Sequence, residues 1–163
     1  MHIVRNVFLV AGVLVAAGLI AARTGAFSGS PPAQLGVREG RLAPPSLTAN
    51  SVSSQARRHA EHPMREAAQI DPLVLRGDRD ATLARIATIA SGIDGGRPVE
   101  RRADYLRFEF TTRWMHFVDD AEFWFDPGAG AIQVRSASRL GRKDFDVNRQ
   151  RIDAIRARLL AAP

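Results

Sequence analysis

From Tyr105 onward the apolar residues recur at every second position, and this change of period constrains the fold more than any other feature of the chain. Leu106, Phe108, Phe110 and Trp114 fall on one side and Tyr105, Arg107, Glu109 and Arg113 on the other, which is the alternation of a half-buried strand. Ala121, Phe123 and Phe125 then alternate with Asp120, Glu122 and Trp124. Asp126-Pro127-Gly128-Ala129-Gly130 turns the chain, and Ile132 and Val134 resume the apolar face. The pattern predicts a β-hairpin. Keeping its apolar residues together places Phe125 opposite Ile132 and Phe123 opposite Val134, and therefore Glu122 opposite Arg135. An exposed pair of this kind would contribute no more than about 1 kcal/mol.

Two segments read as helices. Asp78 to Ser91 carries Leu83, Ile86, Ala87 and Ala90 at helical spacing, with Asp78 as N-cap and Gly92 as stop. Ile152, Ile155 and Leu159 form a stripe opposite Arg151, Asp153, Arg156 and Arg158, after Asp144 or Asp146 as cap. The expected fold is α+β: a three- to four-stranded antiparallel sheet with two main helices packed on its apolar face.

The N-terminus is of a different kind. Val7 to Ala22 holds sixteen uncharged residues, about 24 Å of helix, and counting from Ile3 with Arg5 snorkelling brings the length to about 30 Å. A retained membrane anchor is favoured, with the C-terminal domain outside the cytoplasm. The alternative is an export signal, with Arg5 as the positive region and Thr24-Gly25-Ala26 as the cleavage site. A buried core helix fits poorly, because the stretch is apolar on every side. Residues 24–49, rich in Gly, Ser and Pro without an apolar period, read as a flexible linker. The chain thus divides into residues 1–23 as anchor or signal, 24–49 as linker and 50–163 as one α+β domain.

Composition narrows the chemistry. The 163 residues carry a net charge of +6 and no cysteine, so disulfides, thiolate metal sites and cysteine nucleophiles are excluded. There is no Gly-x-Ser-x-Gly elbow, no phosphate-cradling loop and no dinucleotide fingerprint, and no cofactor is expected. His59 and His62 lack a third placed ligand, so a metal is not expected either, and His116 reads as structural. Nucleic acid suits the high pI but not an exported domain. Between Arg135 and Arg158 eight cations face Asp144, Asp146 and Asp153. The densest part runs from a strand end through a Gly-containing loop into a helix N-terminus, where free N–H groups favour anions. Arg135, Ser136, Ser138, Arg139, Asn148 and Arg149, with Asp120 and Glu122, form the candidate ligand site. Arg139 and Arg149 are expected to matter more for recognition than for folding. A structural reading stands beside this one: the arginines pair with Asp119, Asp120 and Glu122, and Asp144 and Asp146 fill the helix end.

Several blocks carry a resemblance. Asn50-Ser51-Val52-Ser53-Ser54-Gln55, Ile70-Asp71-Pro72-Leu73, Val118-Asp119-Asp120-Ala121-Glu122-Phe123 and Arg135-Ser136-Ala137-Ser138-Arg139-Leu140-Gly141, followed by Asp144 and Val147-Asn148-Arg149-Gln150-Arg151-Ile152, resemble the domain of unknown function 1499 family (DUF1499), in that family's order and over about Asn50 to Leu159. The resemblance implies a domain preceded by a membrane segment or export signal, with no established activity. The family pattern often has one cysteine where Ser51 stands and another near Pro45; both are missing, so redox chemistry is not expected here.

These readings converge on a non-enzymatic binding or assembly module of the cell envelope. It would recognise an anionic ligand, a lipid headgroup or a protein partner of unknown kind. The alternative is an enzyme acting on an anionic or lipid-like substrate, with Asp120 or Glu122 as acid/base.

Overall fold

The computed structural model describes residues 2–161. Helix α1 (His2–Arg23) is followed by strand β1 (Ser51–Ser53), a 3-10 turn (Ala56–Arg58), β2 (Leu73–Val74), helix α2 (Arg79–Ser91), β3 (Gly96–Arg101), β4 (Tyr105–Thr111), β5 (Val118–Asp126), β6 (Ala131–Ser138) and α3 (Val147–Ala161). All strand pairs are antiparallel in the order β1-β6-β5-β4-β3, and β2 shares the outer edge of β6 with β1. The fold is α+β, as the pattern implies, and the hairpin register places Phe125 against Ile132, Phe123 against Val134 and Glu122 against Arg135.

The sheet has six strands, not the three or four expected from sequence. The extra ones lie at the edges. β1 and β2 have three and two residues, too short to show a period. β3 reads Gly-Arg-Pro-Val-Glu-Arg with a bulge between Pro98 and Glu100, the irregular, charged sequence of an edge strand that discourages further pairing. A second correction concerns Trp114. β4 ends at Thr111, the Thr112 and Phe117 backbones then close a turn, and His116 adopts φ 53°. Trp114 sits on that turn, 67% exposed, rather than on the apolar face.

One face of the sheet is the core. Leu106, Phe108, Phe110, Phe123, Ile132 and Val134 meet Leu83, Ile86 and Ala90 of α2 and Ile152, Ile155 and Leu159 of α3. Asp78 caps α2 by accepting from the Ala81 N–H at 2.7 Å. The other face is covered too. Leu42 and Val37, in the segment read as a linker, pack on Tyr105 and Trp124, and the Gly36 N–H donates to Glu122 at 2.7 Å.

Helix α1 is apolar and long enough to cross a membrane, with Val7, Phe8, Val13, Leu14 and Ile20 all exposed. Its exit is closely attached to the domain. Phe27 packs on Phe117 with ring centres 5.6 Å apart. Gly29, at φ 62°, lies so close to the domain that a Cβ there would be 2.9 Å from Arg139 Cβ and 3.0 Å from Leu140 Cγ. Only glycine meets both requirements.

Candidate functional site

The hairpin alternation that buries Phe123 and Val134 sends Asp120, Glu122 and Arg135 to the second face, and there the chain neutralises each charge. Arg139 grips Asp120 with two donors, Nε to Oδ2 at 2.7 Å and Nη2 to Oδ1 at 2.9 Å, and also donates to Glu109. Arg107 adds a third donor to Asp120 at 3.1 Å. Two residues along β5, on the same face, Arg135 donates to Glu122 at 3.3 Å and to the Pro44 carbonyl at 3.2 Å. The Tyr105 hydroxyl donates to Glu122 at 2.8 Å. The expected Glu122–Arg135 pair therefore exists, but it is buried rather than exposed.

Burial decides the electrostatics of this face. Glu122 is pushed above its ordinary value of 4.5 by desolvation, which Arg135, the Gly36 N–H and the Tyr105 hydroxyl only partly offset. Tyr105 is raised by burial and by the Glu122 charge. For Glu109 burial pushes upward, yet the hydrogen bonds and charges of Arg139 and Arg97 outweigh it and hold the carboxyl below its usual value. The hydrogen bond to Asp120 raises Arg139.

A carboxyl whose folded pKa lies above its unfolded one binds more protons in the native state through that interval, so stability falls as pH rises across it. Glu122 should thus weaken the fold progressively from about pH 4.5 upward. Glu122→Gln is expected to remove that slope. Urea unfolding of the full chain in detergent at a series of pH values from about 4.5 to 7.5, followed by fluorescence of buried Trp124 in a Trp114→Phe background, checks it; an unchanged slope refutes it.

On the core face a second network ties the end of β6 to α3. Asn148 is fully buried. Its Nδ2 donates to Ser138 Oγ at 3.1 Å, to the Asn50 carbonyl at 3.3 Å and to Asp144 Oδ2 at 2.8 Å. Its Oδ1 accepts from Ser136 Oγ and from Arg151 at 2.7 Å, and Arg151 also binds Asp119 at 2.7 Å. Asp144 accepts the Asn148 N–H at 3.0 Å, so the chain's own carboxylate fills the start of α3.

The eight sequence-derived residues therefore fall into separate groups. Asp120 and Arg139 form one, Glu122 and Arg135 another, and Ser136, Ser138 and Asn148 a third. Arg149 points elsewhere, donating to the carbonyls of Gln69 at 3.1 Å and Ala67 at 2.9 Å.

What these groups hold up is the loop between them. Over residues 139–147 the chain passes through two consecutive left-handed residues, Phe145 (φ 53°) and Asp146 (φ 65°). Such a conformation costs on the order of 1–3 kcal/mol per residue and persists only where the surroundings enforce it. It turns Phe145 outward, 85% exposed. A groove of about 360 Å³ opens beneath, lined by Phe117, Ser138, Leu140, Lys143, Phe145 and Val147 among others. Neither Arg142 nor Lys143 has an ion-pair partner among the described residues. Asp119 and Asp144 also line it, but both are already engaged, Asp119 by Arg151 and Asp144 by the Asn148 N–H and Nδ2. The groove thus combines apolar walls and the Ser138 hydroxyl with an ammonium group that has no ion-pair partner among the described residues. Sequence reasoning missed Phe117, Leu140, Lys143, Phe145 and Val147. Leu140 and Phe145 carried a signal, as bulky apolar residues in an otherwise polar, cationic loop.

His59 is drawn down chiefly by burial, and its Nε2 has no partner. His62 Nδ1 accepts from the Met64 N–H at 3.2 Å. Among the described residues no three metal-ligating side chains are grouped.

A family model described as "Protein of unknown function (DUF1499)" matches residues 41–159. No curated protein and no solved structure matched the chain.

Proposed function

Since this chain belongs to the DUF1499 family, whose description carries no activity, we propose a function from the site itself: a non-enzymatic binding module of the cell envelope that takes an anionic amphiphile. In this reading α1 is retained in the membrane and the C-terminal domain lies outside the cytoplasm. The observation that carries it is the groove under Phe145, where strain holds an aromatic side chain outward beside the unpaired Lys143. An apolar tail would lie against Phe117, Leu140 and Val147, and its anionic head would meet Lys143 and Arg142. Arg135, Arg139, Ser136 and Asn148 serve recognition by building the frame of this groove, and Ser138 lines it directly.

The raised carboxyl of Glu122 favours the rival enzymatic reading. Against it, Asp120 and Glu122 are fully buried, and each of their oxygens already accepts from an arginine, a tyrosine or a backbone N–H.

Native mass spectrometry of the full chain, purified in mild detergent, tests the proposal. The parent should retain an anionic amphiphile, and Lys143→Glu combined with Phe145→Ser should weaken retention by at least about tenfold, the equivalent of 1.4 kcal/mol. Both side chains are exposed, so the melting temperature should stay within a few degrees of the parent's. Equal retention by the double variant would remove the groove from consideration.

A further inference from the structure

We infer that the turn at residues 112–117 docks on the bilayer that holds α1 and, together with the end of that helix, binds the headgroup of an anionic phospholipid. The inference rests on the reading of α1 as a membrane span. A cavity of about 290 Å³ opens between the helix and the turn, with Ala16, Leu19, Ile20 and Arg23 on one wall and Arg113 and Trp114 on the other. Its position along the helix fixes its depth. With Val4–Arg23 as the span, Arg23 lies at one edge of a hydrocarbon layer of about 30 Å, and Ala16, seven residues back at 1.5 Å each, lies about 10 Å inside it. Any side chain bordering the same cavity as Ala16 and Arg23 stands at the boundary between headgroups and acyl chains.

Trp114 is the residue type that prefers that boundary, and its 67% exposure is exposure towards the lipid. The Arg113 guanidinium lies 5.3 Å from the centre of the Trp114 ring, so a cation stays beside the indole as the ring enters the apolar region. Arg23 and Arg113 both line the cavity, and two guanidiniums match a phosphate diester. Leu19, Ile20 and the indole beneath them match the first part of an acyl chain. The attachment of Phe27 to Phe117 and of Gly29 to Arg139 and Leu140 holds the two walls in register. This site is separate from the groove under Phe145.

Depth-resolved quenching tests it on the full chain reconstituted into phosphatidylcholine vesicles with and without phosphatidylglycerol. The chain contains two tryptophans, and Trp124→Phe leaves Trp114 as the reporter. Lipids brominated high on the acyl chain should quench it more than lipids brominated near the methyl end. Trp114→Phe in the parent should lose the quenchable signal. Phosphatidylglycerol should strengthen quenching, and Arg23→Gln or Arg113→Gln should each reduce the docked-to-undocked ratio about fivefold, as expected for one cation near an anionic surface.

Flotation read on the same samples separates the possible failures. A chain that floats while Trp114 emits as in water overturns the docking and leaves the anchor reading intact. A chain that does not float overturns both. Quenching indifferent to lipid charge and to both arginine variants overturns the headgroup site. Protection of Trp114 by a crosslinkable second copy, without lipid quenching, assigns the surface to self-association and overturns the inference.

Discussion

Arg139→Ala should lower the stability of the folded chain by about 3–5 kcal/mol, because it strands a carboxylate that has no access to water. The Arg139 side chain is 6% exposed and that of Asp120 is 1% exposed. Two parallel donors join them, and the same guanidinium reaches Glu109. Removing it leaves Asp120 with Arg107 alone, at 3.1 Å. For a domain of this size the loss corresponds to a drop in melting temperature on the order of 10–20 °C. Asp120→Asn should cost less, since it removes a charge while keeping a polar group in place. Arg149→Ala provides the contrast: its bonds go to the backbone carbonyls of Gln69 and Ala67, in the segment before β2, and a cost near 1 kcal/mol is expected. Thermal unfolding of the full chain in detergent, followed by near-UV circular dichroism, reads all three. If Arg139→Ala melts with the parent, Arg139 is held for a ligand and the frame reading is wrong.

Asn148→Ala should be of similar size, at least about 3 kcal/mol, for a different reason. The amide binds β6, the Asn50 backbone, Asp144 and Arg151 together. Without it, the Ser136 hydroxyl loses its acceptor and Arg151 and Asp144 each lose a partner, and each such loss in a region closed to water costs about 1–3 kcal/mol, whereas the Asn50 carbonyl keeps the Ser138 N–H. The damage should also be local. Asn148 holds both ends of the 139–147 loop, so retention of an amphiphile should fail at temperatures where the hairpin remains folded. Hydrogen exchange distinguishes the two effects: residues 139–148 should lose protection before β5 does. Uniform loss across the sheet would contradict this assignment.

The legible parts of the fold were those whose signals lie close together in the chain. Asp78, Leu83, Ile86, Ala90 and Gly92 specify α2 within fifteen residues, and the Glu122–Arg135 register follows from apolar alternation across one turn. The burial of that pair was not legible. The residues that cover it, Gly36, Val37, Leu42 and Pro44, lie some eighty positions earlier in a segment with no apolar period, and backbone groups make the decisive contacts. The same cause hid the groove, whose walls come from two loops, with Phe117 in one and Leu140 and Phe145 in the other. The arginines stood out because charge density is visible in one dimension. Their partners are visible only in three.

The glycine at position 29 restricts where the domain can work. Only five residues lie between it and Arg23, a chain that spans at most about 20 Å when extended, and its far end is packed against Arg139 and Leu140. With α1 in a bilayer, the domain has almost no radius of search above the surface: it moves in a plane, at the rate at which its helix diffuses. A membrane lipid taken by the groove under Phe145, as proposed above, would reach it by lateral diffusion. Encounters are then governed by surface density rather than by bulk concentration, so a weak intrinsic affinity suffices for high occupancy.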